Sequence, residues 1–180
     1  EYLQDRFPLP SLYPVDPVDR AKARWLEEYA DSYLGDVVIW RMFFQKGVRR
    51  FLFNEGTDEE VFRKAREEEL PVALDYLEAR LPEAGWIFGD LSIADISIAS
   101  FFRNAAFVKY QVDAQRWPRT AAFLDRALGL PAFAKLAAFE DRTLRTPLPE
   151  QRTVLAEMGA PLTETTCGNA APRYGVMRLG

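Results

Sequence analysis

The chain has 180 residues with 27 acidic and 23 basic side chains, so its formal charge is −4. That balance excludes a binder that works by neutralising nucleic-acid phosphates, and the densest basic run, residues 46–50, sits inside a helical pattern. There is no histidine, which removes imidazole general bases, Ser–His triads and most zinc sites, and Cys167 is the single cysteine, which excludes an internal disulfide and favours a reducing, cytoplasmic setting. No stretch reaches the roughly 18–20 apolar residues of a membrane span. The most apolar segment, 93–108, is interrupted by Asp95, Arg103 and Asn104.

Residues 1–15 hold Pro8, Pro10 and Pro14 behind a short apolar start. They are expected to form a semi-rigid linker carrying the remnant of an earlier element. Asp16 and Pro17 then signal a helix, a carboxylate cap followed by proline at the first helical position. Leu26, Tyr29, Tyr33, Val37, Trp40 and Phe44 continue at steps of three and four as one apolar stripe. Val18, Ala21 and Trp25 add a second face, and Gly35 marks a potential bend. Trp40, Phe43 and Phe44 cluster on this helix as core or as a seam to a partner chain.

Thr57 and Glu60 have capping-box spacing. The helix they would open buries Leu70, Ala73, Leu77 and Leu81, and Pro71 within it is expected to kink it. A turn with Gly85 and Gly89 follows. Ser92 and Asp95 form a second capping box, with Leu91 and Ile96 placed as the hydrophobic staple across it. Beyond them Ile96, Ile98, Ala99, Phe101, Phe102, Ala105, Ala106 and Phe107 leave almost no polar face. Such a helix must be enclosed by others.

Pro118 opens a further helix, with Ala121, Leu124 and Leu128 in register, and Gly129 ends it. Pro131 starts the next, with Phe133, Leu136, Ala137 and Leu144. No alternating β-branched run is long enough for a strand. The expectation is an all-α bundle of five or more helices around a buried central one, over residues 16–146. Residues 147–180, rich in proline and glycine, are expected to be an extended or mobile tail, apart from a turn near Val154 to Met158. Cys167 lies there with no neighbour to lower its pKa, so it is not expected to act as a nucleophile.

The run from Gly89 through Asp90, Leu91, Ser92, Ile93, Ala94 and Asp95 to Ile96 resembles the motif that begins the central helix of the glutathione transferase C-terminal domain. Tyr13, Pro14, Asp16, Pro17, Arg20, Ala21, Arg24 and Trp25 resemble that family's entry into its first C-terminal helix. The stretch 117–136, with Pro118 and Pro131, resembles its last helical pair. The resemblance spans roughly residues 1–140 and implies that the family's N-terminal thioredoxin-like domain is missing. That domain carries the catalytic Tyr, Ser or Cys and most of the glutathione site, so no catalytic residue is assigned and the chain alone is expected to be inactive.

The resemblance further implies a parent enzyme that adds the glutathione thiol to a small apolar electrophile, or uses glutathione in a related reaction, as a homodimer. This chain would then supply the electrophile pocket and part of the dimer interface. Leu34, Val38, Asn104 and Phe107 fall where the family lines that pocket; ordinary core packing is the alternative. Arg103 would meet either a polar substrate group or a buried carboxylate such as Asp95. Asp31 falls where some classes bind glutathione's amino group across the dimer; a solvated helix-face charge is the alternative. Ser92 and Asp95 are read as structural caps rather than catalysts. The same domain also occurs as a non-catalytic module in protein assemblies, which is the competing reading.

Overall fold

The computed structural model describes residues 2–164; Cys167 and the rest of 165–180 lie outside them. Two compact units divide between Leu128 and Gly129. Within the first, α1 is a short helix, Tyr2–Arg6, followed by the proline-containing segment. Helix α2 occupies residues 17–52. It is α-helical over Pro17–Tyr29, widens to i→i+5 bonding over Ala30–Val48, and closes as α-helix over Arg49–Leu52. Helix α3, residues 59–78, has the same plan: α-helix over Glu59–Lys64, one wide turn over Ala65–Glu69, α-helix over Leu70–Glu78. Helix α4 is Ile93–Phe107 and α5 is Pro118–Leu128.

Asp16 caps α2 as expected: its Oδ1 accepts the Val18 and Asp19 amides, each at 2.9 Å. The buried face of α2 is one residue away from the expected stripe. Leu26, Ala30, Leu34, Val38 and Met42 face inward, together with Val37, whereas Tyr33 is 39% exposed and Trp25 is 58% exposed. The reason is steric. Small and branched residues let α2 approach the central helix, and a Cβ on Gly35 would lie 3.2 Å from the Phe101 ring. The tyrosines, with a polar tip to satisfy, stay at the margin.

Two further expectations change. The box at Thr57 and Glu60 does not form. Asp58 caps α3 by accepting the Val61 amide at 3.1 Å, while the Thr57 hydroxyl donates to the Gln45 carbonyl at 3.2 Å. Aspartate caps as well as threonine does, and shifting the start by one residue frees Thr57 to tie the loop to α2. Pro71 does not break α3 either. The Leu70 amide reaches back to the Ala65 carbonyl, a wide turn placed directly before the proline. Such a turn relieves the ring clash that would otherwise kink the helix. Leu70, Ala73, Leu77 and Leu81 are all buried on one face, as their spacing requires.

Helix α4 is central. It packs chiefly on the wide-turn part of α2, then on residues 17–29, then on α5. Ala94, Asp95, Ile98, Ala99, Phe102 and Ala105 are buried in it. The fold of this unit is therefore the all-α bundle expected, with no strand among the described residues.

The second unit contains α6, Pro131–Thr143, a 3-10 turn at Leu148–Glu150, and α7, Gln151–Glu157. Helix α6 has no buried residue, and Leu136 and Leu144 are 56% and 52% exposed. The Gln151 side-chain amide donates to the Thr143 and Thr146 carbonyls, each at 3.1 Å, and joins the two helices. Regular structure thus continues past residue 147, where an extended segment was expected with only a turn near Val154.

Candidate functional site

The start of α4 is held by a buried carboxylate. Asp95 is fully enclosed. Its Oδ2 accepts the Ser92 amide at 2.8 Å and the Ser92 hydroxyl at 2.6 Å, and its Oδ1 accepts the Ile87 amide at 3.0 Å. The third bond reaches beyond a capping box. It ties the turn before the helix, where Gly85 and Gly89 take positive φ of 74° and 87°, to the helix itself. The Ile93 amide donates to the Leu12 carbonyl at 2.9 Å, so the N-terminal segment is fastened at the same point. Ser92 and Asp95 are thus joined to each other in a capping box at the start of α4.

The other end of α4 carries the nominated pocket residues. The Arg103 guanidinium lies 4.8 Å over the Phe107 ring, and that ring is 5.6 Å from Phe43 on α2. Asn104 is half-buried beside them. Arg103 does not pair with Asp95, whose oxygens are taken by Ser92 and Ile87. The structure therefore brings Arg103, Asn104 and Phe107 together at a half-buried corner with Phe43. Leu34 and Val38 have no exposed surface and belong to the core face of α2. Asp31 is exposed at the first wide turn of α2.

Two open grooves lie elsewhere on this unit. One, of about 380 Å³, is lined by Gln4, Asp5, Ser11, Tyr13, Arg20 and Arg24 among others. The second, of about 690 Å³, runs between residues 17–29 and the end of α3, lined by Lys22, Trp25, Leu26, Tyr76, Arg80 and Phe88 among others. None of the residues nominated from sequence lines either groove. Among the described residues no acidic or thiol cluster is placed to hold a metal ion, and no helix is long and apolar enough to cross a membrane.

Three polar features were missed in the sequence. Glu78, at the end of α3, caps α5: it accepts the Arg119 and Thr120 amides at 2.9 Å each and the Thr120 hydroxyl at 2.8 Å. Burial pushes the Glu78 carboxyl up, but the Thr120 and Arg119 bonds outweigh it, and the group lies below the usual carboxylate range. The missed signal was negative: α5 opens on Trp117 and Pro118 with no capping residue of its own. Asp75 accepts the Trp117 indole N–H at 2.6 Å. Tyr29 stacks on Tyr76 at 4.5 Å with its hydroxyl buried and unpartnered, and burial, then Tyr33 and Tyr76, hold its pKa well above the ordinary phenol value.

Residues 60–126 match the family model described as glutathione S-transferase, C-terminal domain. A probable glutathione S-transferase of Solanum tuberosum is 40% identical over 47 residues, which are 26% of this chain and 21% of that protein. A glutathione S-transferase structure from Rhodospirillum rubrum superposes with a TM-score of 0.65 at 23% identity, covering 73% of this chain and 59% of that one. A Methylobacterium radiotolerans glutathione S-transferase, solved with glutathione sulfonate, gives 0.55 at 26% identity, covering 74% of this chain and 60% of that one. The chain thus spans about three-fifths of these solved transferases. A buried central helix started by a Ser–Asp box and packed between α2 and α5 thus lies in a chain that is similar to glutathione transferase C-terminal domains, by family model over residues 60–126 and by fold.

Proposed function

We propose that this chain is the electrophile-binding half of a glutathione-dependent enzyme, in which a thioredoxin-like domain supplies the thiol chemistry. The half-buried corner of Phe43, Arg103, Asn104 and Phe107 carries this reading. It is apolar on two sides, with a guanidinium and an amide to orient a substrate, as ligand sites commonly are. Leu34 and Val38, buried on α2, would contribute to that half as apolar packing. Asp31, exposed on α2, is the group we assign to glutathione's amino nitrogen in a homodimer, where a carboxylate and an ammonium would pair. The enzyme would work in the cytoplasm, a reducing setting that suits both glutathione and a lone thiol.

The test is a conjugation assay with glutathione and a chloronitrobenzene, run on the translation product of the complete reading frame and on the 180-residue chain. The complete protein should turn over and the chain alone should not. Phe107→Ala in the complete protein should raise KM for the electrophile severalfold and leave KM for glutathione unchanged. Turnover by the isolated chain would overturn the division of labour. Failure of the complete protein to bind or use glutathione would favour a non-catalytic assembly module.

A further inference from the structure

The groove framed by α1, the proline-containing segment and the first turns of α2 has opposite charges on its walls, and we propose that it binds a small zwitterion of the amino-acid or dipeptide class. Its volume, about 380 Å³, is that of a small-ligand site. The walls are fixed before any ligand arrives. The Gln4 side chain ties α1 to the segment through both of its polar atoms: the amide donates to the Pro8 carbonyl at 3.2 Å, and the oxygen accepts the Leu12 amide at 2.9 Å. The Leu12 carbonyl accepts the Ile93 amide in turn, so the segment is fastened to the start of α4. The Tyr13 hydroxyl donates to Glu27 at 3.2 Å and holds that ring against α2. A site arranged in advance has little ordering left to pay when its ligand binds.

Arg20 and Asp5 set the charge. Arg20 turns one edge of its guanidinium to the backbone: Nε donates to the Pro14 carbonyl and Nη2 to the Val15 carbonyl, each at 3.0 Å. Its Nη1 has no hydrogen-bond or ion-pair partner among the described residues, which leaves both N–H groups of that nitrogen for an incoming acceptor. Asp5, exposed on α1, has no such partner among the described residues either. The carboxylate and the guanidinium line the same groove and yet do not pair with each other. A molecule with an ammonium at one end and a carboxylate at the other bridges them, the ammonium on Asp5 and the carboxylate on Arg20 Nη1. A simple anion would meet Asp5 as a like charge, and a simple cation would meet Arg20 and Arg24, the second guanidinium of the lining. The opposed charges therefore select a zwitterion over either. The site is separate from the Arg103 and Phe107 corner and does not include Asp31, so it stands or falls apart from the function proposed above.

The probe is L-alanyl-L-alanine, titrated calorimetrically into the 180-residue chain beside two capped forms. The N-acetyl form lacks the ammonium and the C-terminal amide lacks the carboxylate. Saturable binding is expected for the free dipeptide, and binding weaker by about fivefold for each capped form, the scale of one exposed charge pair. Asp5→Asn should weaken the free dipeptide by the same factor and leave the acetylated one unchanged. Arg20→Gln should weaken the free dipeptide and leave the amide unchanged. Arg20 also holds the Pro14 and Val15 carbonyls, so circular dichroism checks that variant, and Asp5→Asn, at an exposed residue, keeps the test decisive by itself. Equal binding of the three peptides, an Asp5→Asn variant as tight as the parent, or the absence of saturable heat would each overturn the proposal.

Discussion

Replacing Asp95 by alanine should destabilise the first unit by about 3–5 kcal/mol. The enclosed carboxylate accepts three hydrogen bonds, from the Ser92 amide, the Ser92 hydroxyl and the Ile87 amide. Alanine leaves one buried and one part-buried backbone amide without their carboxylate partner, and at about 1–1.5 kcal/mol for each of the three lost bonds the sum reaches the figure given. That is a large share of the roughly 5–15 kcal/mol of an ordinary domain. Ser92→Ala removes the cap but leaves both amides on Asp95, so it should cost about 1 kcal/mol. Once Asp95 is gone, Ser92→Ala should cost almost nothing, because the two side chains act as a unit. Urea unfolding followed by tryptophan fluorescence measures this on the relevant part. Trp25, Trp40, Trp86 and Trp117 are the four tryptophans of the chain and all precede the division after Leu128. An Asp95→Ala cost below about 1 kcal/mol, or additive costs in the double variant, would refute the view that this carboxylate clamps both helix and turn.

Glu78→Gln should cost about 1–2 kcal/mol, since it weakens a charged cap that α5 does not supply for itself. The folded-state pKa of Glu78 is depressed, so its contribution is present above the ordinary carboxylate range near pH 4 and is lost as pH falls through the lower folded value. Urea midpoints of parent and variant should therefore converge in acid. Tyr29→Phe should be neutral or stabilising by up to about 1 kcal/mol, because it removes a buried hydroxyl with no partner. The folded-state pKa of Tyr29 is raised, so the parent keeps this group's contribution below about pH 10 and loses it as pH rises, when the unfolded chain alone ionises. The variant's alkaline stability profile should be flatter; an identical profile would contradict the burial of this hydroxyl.

Local chemistry determined the parts of this protein that are local. The cap at Asp16, the Ser92 and Asp95 box and the glycines of the turn before it each act within a few residues, so their spacing was enough to place them. The greasy composition of residues 93–107 likewise dictated a central helix, because no orientation of it on a surface would hide its side chains. Tertiary structure decided what depends on neighbours. Which side of α2 faces inward turned on the close approach of Gly35 to Phe101, a contact between residues far apart in the chain. The tolerance of Pro71 turned on a wide turn that periodicity does not announce. The capping of α5 by Glu78, and the assembly of Trp25, Tyr76 and Arg80 along one groove, join separate helices or distant turns. Such pairings follow from how helices cross, and no single helix encodes its crossing.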